Sequence, residues 1–440
     1  MAIVGTGPDA LSDAAHGAHM RRAIVASTIG TTVEWYDFHL YSVGAGLIFP
    51  KLYFPDADPW VGLLESFAVY SVGFIARPIG AAIFGHFGDR IGRKATLIAT
   101  LLLSGIATFI VGLVPTYQSI GIWGAIILTV IRFLQGIAIG GEWGGSVLLS
   151  MEWARSNAHR GFITSWPQFG GPMGLLLANV AVLIFSTLSG DQFLVWGWRV
   201  PFLLGIVIVG IGLYIRLGIV ETPAFRRVVA QNRIERAPVW VVLKRQPREI
   251  VLAVFAKTAE QAPVYIYLAF IYAYGTEVLH TDRNFLFIAL IAASFVSIFS
   301  IPFFGHLSDR IGRKRVYLFG AIATGLFGFI YFAMLNSLIP ALIFLGIVLS
   351  FVPHDMLYGP QAALIAECFT PRLRYSGCSL GYQLASITSG PSPLIATALL
   401  AWTGSGYPIA GYIAVCAVVS IIATLMMPDH TGKDISHEHV

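Results

Sequence analysis

Apolar runs of about 20 residues recur along this 440-residue chain, and that is the length an α-helix needs to cross a hydrocarbon core of about 30 Å. They fall near 23–49, 61–84, 95–115, 121–148, 162–186, 198–217, 250–274, 285–304, 316–336, 339–364, 377–402 and 407–427. In lipid every backbone N–H and C=O must find a partner within the protein, so spans of this length read as helices. The pattern predicts an all-α membrane protein of twelve transmembrane helices in two six-helix, pseudo-symmetric bundles. The expected organisation is a tail 1–22, a bundle 23–217, a charged linker 218–249, a bundle 250–427 and a tail 428–440. With 56% hydrophobic and 12% charged residues, against about 25% charged in soluble domains, the solvent for much of the surface is a bilayer. The net charge of +5 is therefore no nucleic-acid footprint. Three separated cysteines give no metal-ligand or disulfide spacing. The polar N-terminus lacks the basic-then-apolar order of a signal peptide and reads as a tail.

Lysine and arginine set the expected orientation, because they concentrate in cytoplasmic loops. With both termini inside, cytoplasmic segments hold 22 of the 28, including eight between Arg216 and Arg248; external loops hold Lys51, Arg199 and Arg283. Arg77, Arg132 and Lys257 fall inside expected spans. The chain is expected in a bacterial inner membrane, multi-pass, as a monomer.

A decapeptide repeats. Gly85-His86-Phe87-Gly88-Asp89-Arg90-Ile91-Gly92-Arg93-Lys94 returns as Gly305-His306-Leu307-Ser308-Asp309-Arg310-Ile311-Gly312-Arg313-Lys314, matching at eight of ten positions 220 residues on. Each copy follows the second span of its half. Two parallel six-span repeats are a known transporter plan, with substrate between the halves near the bilayer midplane.

This G-x-x-x-D-R-x-G-R-K element resembles the signature loop of the major facilitator superfamily. Four further segments resemble its metabolite:proton symporter subfamily: Gly30 to Phe38 (GTTVEWYDF), Arg132 to Trp143 (RFLQG and GGEW), Gly197 to Phe202 (GWRVPF) and Glu221 to Phe225 (ETPAF). Members carry shikimate, oxoglutarate, citrate, and proline or betaine. Lys257-Thr258-Ala259-Glu260-Gln261 is similar to that group's basic-x-Ala-Glu-Asn pattern, departing at Lys257 and Gln261. The osmosensing members carry a long C-terminal coiled coil, and only about 13 residues follow the last span here. The resemblance implies that Asp89 holds the start of span eleven, that Asp309 holds the start of span five, and that these bonds favour the outward-open state. Gly85, Arg90, Arg93, Gly305, Arg310 and Arg313 belong to the same gate.

An ionisable side chain in a span costs about 2.5–3.5 kcal/mol or more unless it faces a partner or a cavity. Glu34 and Asp37, three apart, share a helix face, and paired carboxylates in a low dielectric resist double ionisation. Proton coupling needs that property; two hydrogen-bonded structural acids are the plain alternative. Arg132 keeps its charge and offers a carboxylate a two-pronged fork, either to an anionic substrate or to Glu34 or Asp37, with Gln135 one turn away. Glu142, ten residues on, is expected at a gate or in a structural pair. The stripe Gly136, Gly140, Gly144 reads as close helix packing. Lys257 is a second anion site or the neutraliser of Glu260, which is a third proton-coupling candidate. Tyr41, Gln168 and Gln383 are polar cavity candidates, and Asp355 beside His354 completes the buried set. Arg77 has Ser297 at the equivalent place of the second half.

No GxxxxGK[ST] or HExxH motif occurs, which disfavours ATP-driven transport and zinc-dependent hydrolysis. The leading expectation is a secondary transporter, not an enzyme, importing a small organic acid or zwitterion with protons and needing no cofactor. An uncoupled facilitator or sugar porter of the same fold is the alternative. A membrane enzyme or receptor is a third reading, opposed by the missing motifs and the two-half repeat.

Overall fold

The computed structural model describes residues 13–91, 93–152, 159–218, 238–370 and 373–433. The first half holds α1 (Asp13–Val43, continued by a wide turn Gly44–Ile48 and by Phe49–Tyr53), α2 (Pro59–Ile91), α3 (Arg93–Leu113), α4 (Trp123–Glu152), α5 (Arg160–Ser189) and α6 (Arg199–Leu217). The second holds α7 (Pro247–Ala256, Thr258–Tyr265, then looser turns through Tyr274–Val278), α8 (Arg283–Ile311), α9 (Arg313–Asn336), α10 (Pro340–Ala366), α11 (Arg374–Ser389 and Ser392–Thr403) and α12 (Tyr407–Met426). Ten of these helices are long and apolar enough to span a membrane. The other two, α1 and α7, carry the buried groups Asp37, Lys257 and Glu260. α1 begins ten residues before the expected span, and a helix Pro238–Arg245 lies in the expected linker.

The outer surface is apolar, unlike that of a soluble protein. Phe299, Leu326, Val415 and Ile422 lie exposed on the outside, while charged and hydroxyl side chains are buried in the interior among apolar ones. Apolar side chains gain nothing by leaving lipid, so close packing and internal polar bonds hold the helices together. In the first half α1 packs on α5, α2 on α4 and α3 on α6; in the second α7 packs on α11, α8 on α10 and α9 on α12. The halves meet where α5 runs along α8 and α11 along α2. Each interface helix thus repeats its partner's role.

α7 breaks at Lys257, and Pro263 in its second piece lacks the N–H that would continue the ladder. Wide turns follow at Ile266–Phe270 and Tyr274–Val278; such turns recur at functional sites.

The glycine stripe divides its work. A Cβ at Gly136 would sit 2.1 Å from the Gly73 carbonyl oxygen and one at Gly140 2.0 Å from that of Arg77, so both glycines seat α4 on α2. Gly144 instead faces Ser379 of α11, whose Oγ a Cβ would approach to 1.8 Å. Gly140→Ala should cost about 2 kcal/mol of stability by overpacking, read as a lowered melting temperature of the purified protein. An unchanged transition would contradict this contact.

The decapeptides were expected to be loops, and the structure corrects this. α8 runs through Asp309 and Arg310 to Ile311, one glycine turns the chain, and α9 begins at Arg313. Gly312 makes that turn at φ +105°, a conformation open to glycine alone at little cost. α2 likewise continues to Ile91.

Candidate functional site

The acids of α1 are held by different neighbours. Asp37 is buried and its Oδ2 accepts the Ser104 hydroxyl of α3 at 3.0 Å. Its Oδ1 has no partner in strict hydrogen-bonding geometry, although Thr108 neighbours the carboxylate, and it faces Gly205 of α6, where a Cβ would lie 3.7 Å away. Gln135, expected beside Arg132's ligand, donates instead to Thr108 at 2.7 Å. Glu34 is half-buried, with Glu142, Arg77, Arg216 and Asp37 as its charged neighbours. Glu142 forms a buried ion pair with Arg216 of α6 and accepts Thr100 at 2.9 Å and Ser146 at 3.1 Å. It is a structural pair tying α3, α4 and α6 together.

Arg132 pairs with neither Glu34 nor Asp37. Its guanidinium lies 4.4 Å from the Tyr41 ring centre, 4.7 Å from Tyr70 and 5.3 Å from Phe38, and its Nε donates to the Tyr70 carbonyl at 3.2 Å. Gly73 makes the room, since a Cβ there would meet Nε at 2.6 Å. Among the described residues no carboxylate contacts it. Arg77 stacks on Phe74 at 4.6 Å and on Phe38 at 5.3 Å, and donates to the Tyr265 hydroxyl at 3.3 Å. Two guanidiniums thus flank one aromatic cluster where α1, α2 and α4 meet α7.

In the second half Lys257 approaches Glu260 at 3.7 Å and caps the Tyr382 ring at 3.2 Å. Glu260 is held by His354 at 3.3 Å and Gln361 at 3.1 Å. The other nitrogen of His354 meets Asp355 at 2.9 Å, and Asp355 also takes the Ser300 hydroxyl. Lys257 meets its counter-charge in this network. A small cavity between the halves is lined by Trp35 and His39 of α1, by α5, α7 and α8, and by His354, Asp355 and Tyr358 of α10.

The two glutamines bridge the halves at matching places. Gln168 of α5 accepts the Trp143 indole at 3.1 Å and donates to the Tyr358 carbonyl of α10 at 3.4 Å. Gln383 of α11 donates to the Ile139 carbonyl of α4 at 3.4 Å. Trp143 stacks on Tyr382 at 3.6 Å across the same interface.

One end of the bundle is latched by the second decapeptide. Asp309 accepts the backbone N–H groups of Gly161 at 2.8 Å and Phe162 at 2.9 Å, at the start of α5, and Arg313 holds it at 3.0 Å. Glu367 receives Arg160 of the first half at 2.9 Å and Arg313 of the second at 2.5 Å. Gly305 is where α8 touches α5, since a Cβ there would lie 2.7 Å from that of Ser165. Arg310 is exposed. Gly85 is buried in α2, whereas the side chains of Asp89, Arg90 and Arg93 lie outside the described residues. At the opposite end Tyr272 donates to Asn179 at 2.8 Å, Arg283 donates to Ser186 at 2.9 Å, and Lys51 meets Glu277 at 3.5 Å. The halves are bridged above and below the centre.

The family profile described as sugar (and other) transporter matches residues 22–240, and that described as Major Facilitator Superfamily matches 262–437. The shikimate transporter of Escherichia coli is 40% identical, over 93% of this chain and 94% of its own. The chain belongs to the major facilitator superfamily. It is also similar to an inner membrane metabolite transport protein of E. coli, 37% identical over 92% and 93% of the two chains. A glycine betaine/proline/ectoine/pipecolic acid transporter of Dickeya dadantii is 33% identical over 94% and 85%. In fold it matches the proton:xylose symporter XylE with a TM-score of 0.72 at 18% identity, over 96% and 98% of the chains. This superfamily member is a multi-pass membrane transporter of small molecules, not an enzyme. Sequence reading counted Arg216 among the linker cations, yet it lies fully buried against Glu142. His39 and His354 were passed over as site residues; the signal was an ionisable ring beside other charged groups within a span.

Proposed function

We propose that this transporter takes up a small organic acid or zwitterion together with protons, by alternating access. The observation that carries this is Arg132: a buried guanidinium between the halves, ringed by aromatic faces, with no carboxylate against it among the described residues. An uncompensated buried charge is costly, and a substrate carboxylate relieves that cost when it docks. Asp37, with one oxygen unpartnered, and Glu34 are the proton carriers on the same helix, and Glu260 serves the second half. Protonation neutralises the α1 acids and lets the halves rock about the cavity once Arg132 is paired. In this reading the decapeptide end faces the cytoplasm of a bacterial inner membrane, with both termini there, in two helical bundles spanning 23–217 and 250–427. The chain works as a monomer, and the proton gradient replaces any cofactor.

Proteoliposomes test this. With shikimate and glycine betaine as probes, an inward proton gradient should drive accumulation several-fold above equilibrium, and an uncoupler should abolish it. Counterflow that proceeds with no proton movement would overturn the coupling and leave an uncoupled facilitator.

A further inference from the structure

His354 of α10 lies between two carboxylates and touches both. Its Nε2 is 3.3 Å from Oε1 of Glu260 on α7, and its Nδ1 is 2.9 Å from Oδ1 of Asp355 beside it. Each acid spends its other oxygen elsewhere. Oε2 of Glu260 accepts Gln361 at 3.1 Å and faces Lys257 at 3.7 Å, while Oδ2 of Asp355 accepts the Ser300 hydroxyl of α8. One oxygen of each carboxylate is thus left for one ring nitrogen. Adjacent residues of a helix point about 100° apart, so Asp355 turns to α8 while His354 reaches α7. Both acids are almost fully buried, and the imidazole is 11% exposed.

A neutral imidazole carries one N–H and one lone pair, and the two can change places across the ring. Between two carboxyl groups that ring is a proton bridge. A proton held on Oδ1 of Asp355 passes to Nδ1 while the Nε2 proton passes to Oε1 of Glu260. One O–H and one N–H bond break, one N–H and one O–H bond form, and nothing is oxidised. Release runs the same bonds in reverse once access has changed sides.

A permanently charged ring would make the same two contacts and act only as a clamp. Its surroundings favour transfer. The ring borders the small cavity between the halves, with Trp35 and His39 of α1 among the other lining residues. It stacks on Tyr358 at 5.1 Å and meets Phe351 edge-on at 6.0 Å, and no further carboxylate or cation contacts it among the described residues. The acid that receives the proton is also the counter-charge of Lys257, whose ammonium caps the Tyr382 ring at 3.2 Å. Tyr382 stacks on Trp143 of the first half at 3.6 Å. Neutralising Glu260 therefore leaves Lys257 without its partner, against a stack that crosses the halves.

We infer that His354 is a proton-transfer residue of the second half, passing a proton between Asp355 and Glu260. This builds on the proposed function, in which Glu260 serves the second half, and names the group that loads it.

The test is time-resolved infrared spectroscopy of the purified full chain in lipid nanodiscs after a rapid drop in pH, with no solute and no gradient. The carboxyl C=O band of protonated Glu260 is the one missing from Glu260→Gln. In His354→Ala this band should rise about 100-fold more slowly than in the wild type. Free imidazole should restore the rate, whereas pyrrole, a ring of the same shape without a basic nitrogen, should not. Asp355→Asn keeps the ring and removes the donor, so it should slow the band as well and serves if His354→Ala does not fold. The relay is overturned if the wild type shows no such band, if either variant protonates Glu260 at the wild-type rate, or if imidazole rescues no better than pyrrole. A chain that accumulates neither transport probe can still pass, and a failed relay leaves proton coupling through Asp37 standing.

Discussion

Replacing Arg132 by Lys should lower uptake by about 100-fold while the protein still folds and inserts. The guanidinium is a flat plate lying over Tyr41 and Tyr70, with Nε fixed on the Tyr70 carbonyl at 3.2 Å. That bond orients the two terminal nitrogens, leaving a fork for a carboxylate. An ammonium keeps the charge but has neither the plane nor the fork. Charge-assisted bonds are worth about 1.5–3 kcal/mol each, and losing one full bond with its orientation gives about 100-fold in affinity at 1.4 kcal/mol per decade. The measurement is initial uptake against substrate concentration in proteoliposomes, with reconstituted protein quantified. A rise confined to KM assigns Arg132 to binding, a fall confined to the maximal rate assigns it to the conformational step, and wild-type kinetics would remove it from the site. Gly73→Ala tests the same cage from outside, because its methyl would strike Nε at 2.6 Å.

How far the sequence foretold these features depends on what enforced them. Lipid selects apolar runs directly, so twelve spans were legible; ten stand out by length and composition in the structure, and α7 does not because it is broken at Lys257 into pieces of 10 and 8 residues. Asp309 was legible as a carboxylate able to cap a helix start, and its target at α5 was what the family resemblance implied. The relation between Glu34 and Asp37 was only half legible. Residues three apart on a helix differ by about 60° in direction, enough in a helix enclosed on every side for α3 to claim Asp37 while Glu34 faces other charges. The decapeptides looked like loops because Gly, Asp and Arg are loop residues, yet the helix continues until Gly312 turns it. Pairings such as Glu142 with Arg216, or His354 with Glu260, join residues 74 and 94 positions apart. No local pattern encodes such a distance; only the packing of three helices does.

The latch at the decapeptide end gives the other large effect. Asp309→Asn keeps the shape of the side chain and removes its charge, and one amide oxygen cannot serve Gly161, Phe162 and Arg313 together. The carboxylate stabilises the start of α5 both by taking two orphan N–H groups and by its charge at the positive helix end. Losing this, together with the register it gives Arg313 toward Glu367, should cost about 3 kcal/mol of the state closed at this end. That shifts the open-to-closed ratio by about 100-fold. Ser165 reports it, because it is buried where α5 meets Gly305 of α8 and becomes reachable only if the two helices part. In a background lacking Cys368, Cys378 and Cys416, a Ser165→Cys thiol in purified protein should react with a polar maleimide tens of times faster when Asp309→Asn is added. Glu367→Gln should act in the same direction, since it releases Arg160 of one half and Arg313 of the other. Thr431 and Lys433 join the same lock: Thr431 accepts the Arg313 backbone N–H at 3.0 Å and the Lys433 carbonyl accepts Arg160. Removing residues 429–440 should therefore raise the labelling rate less than Asp309→Asn does, because it takes hydrogen bonds from the lock but leaves its carboxylates in place. Equal labelling in all four proteins would mean that the network decorates this end without holding it shut.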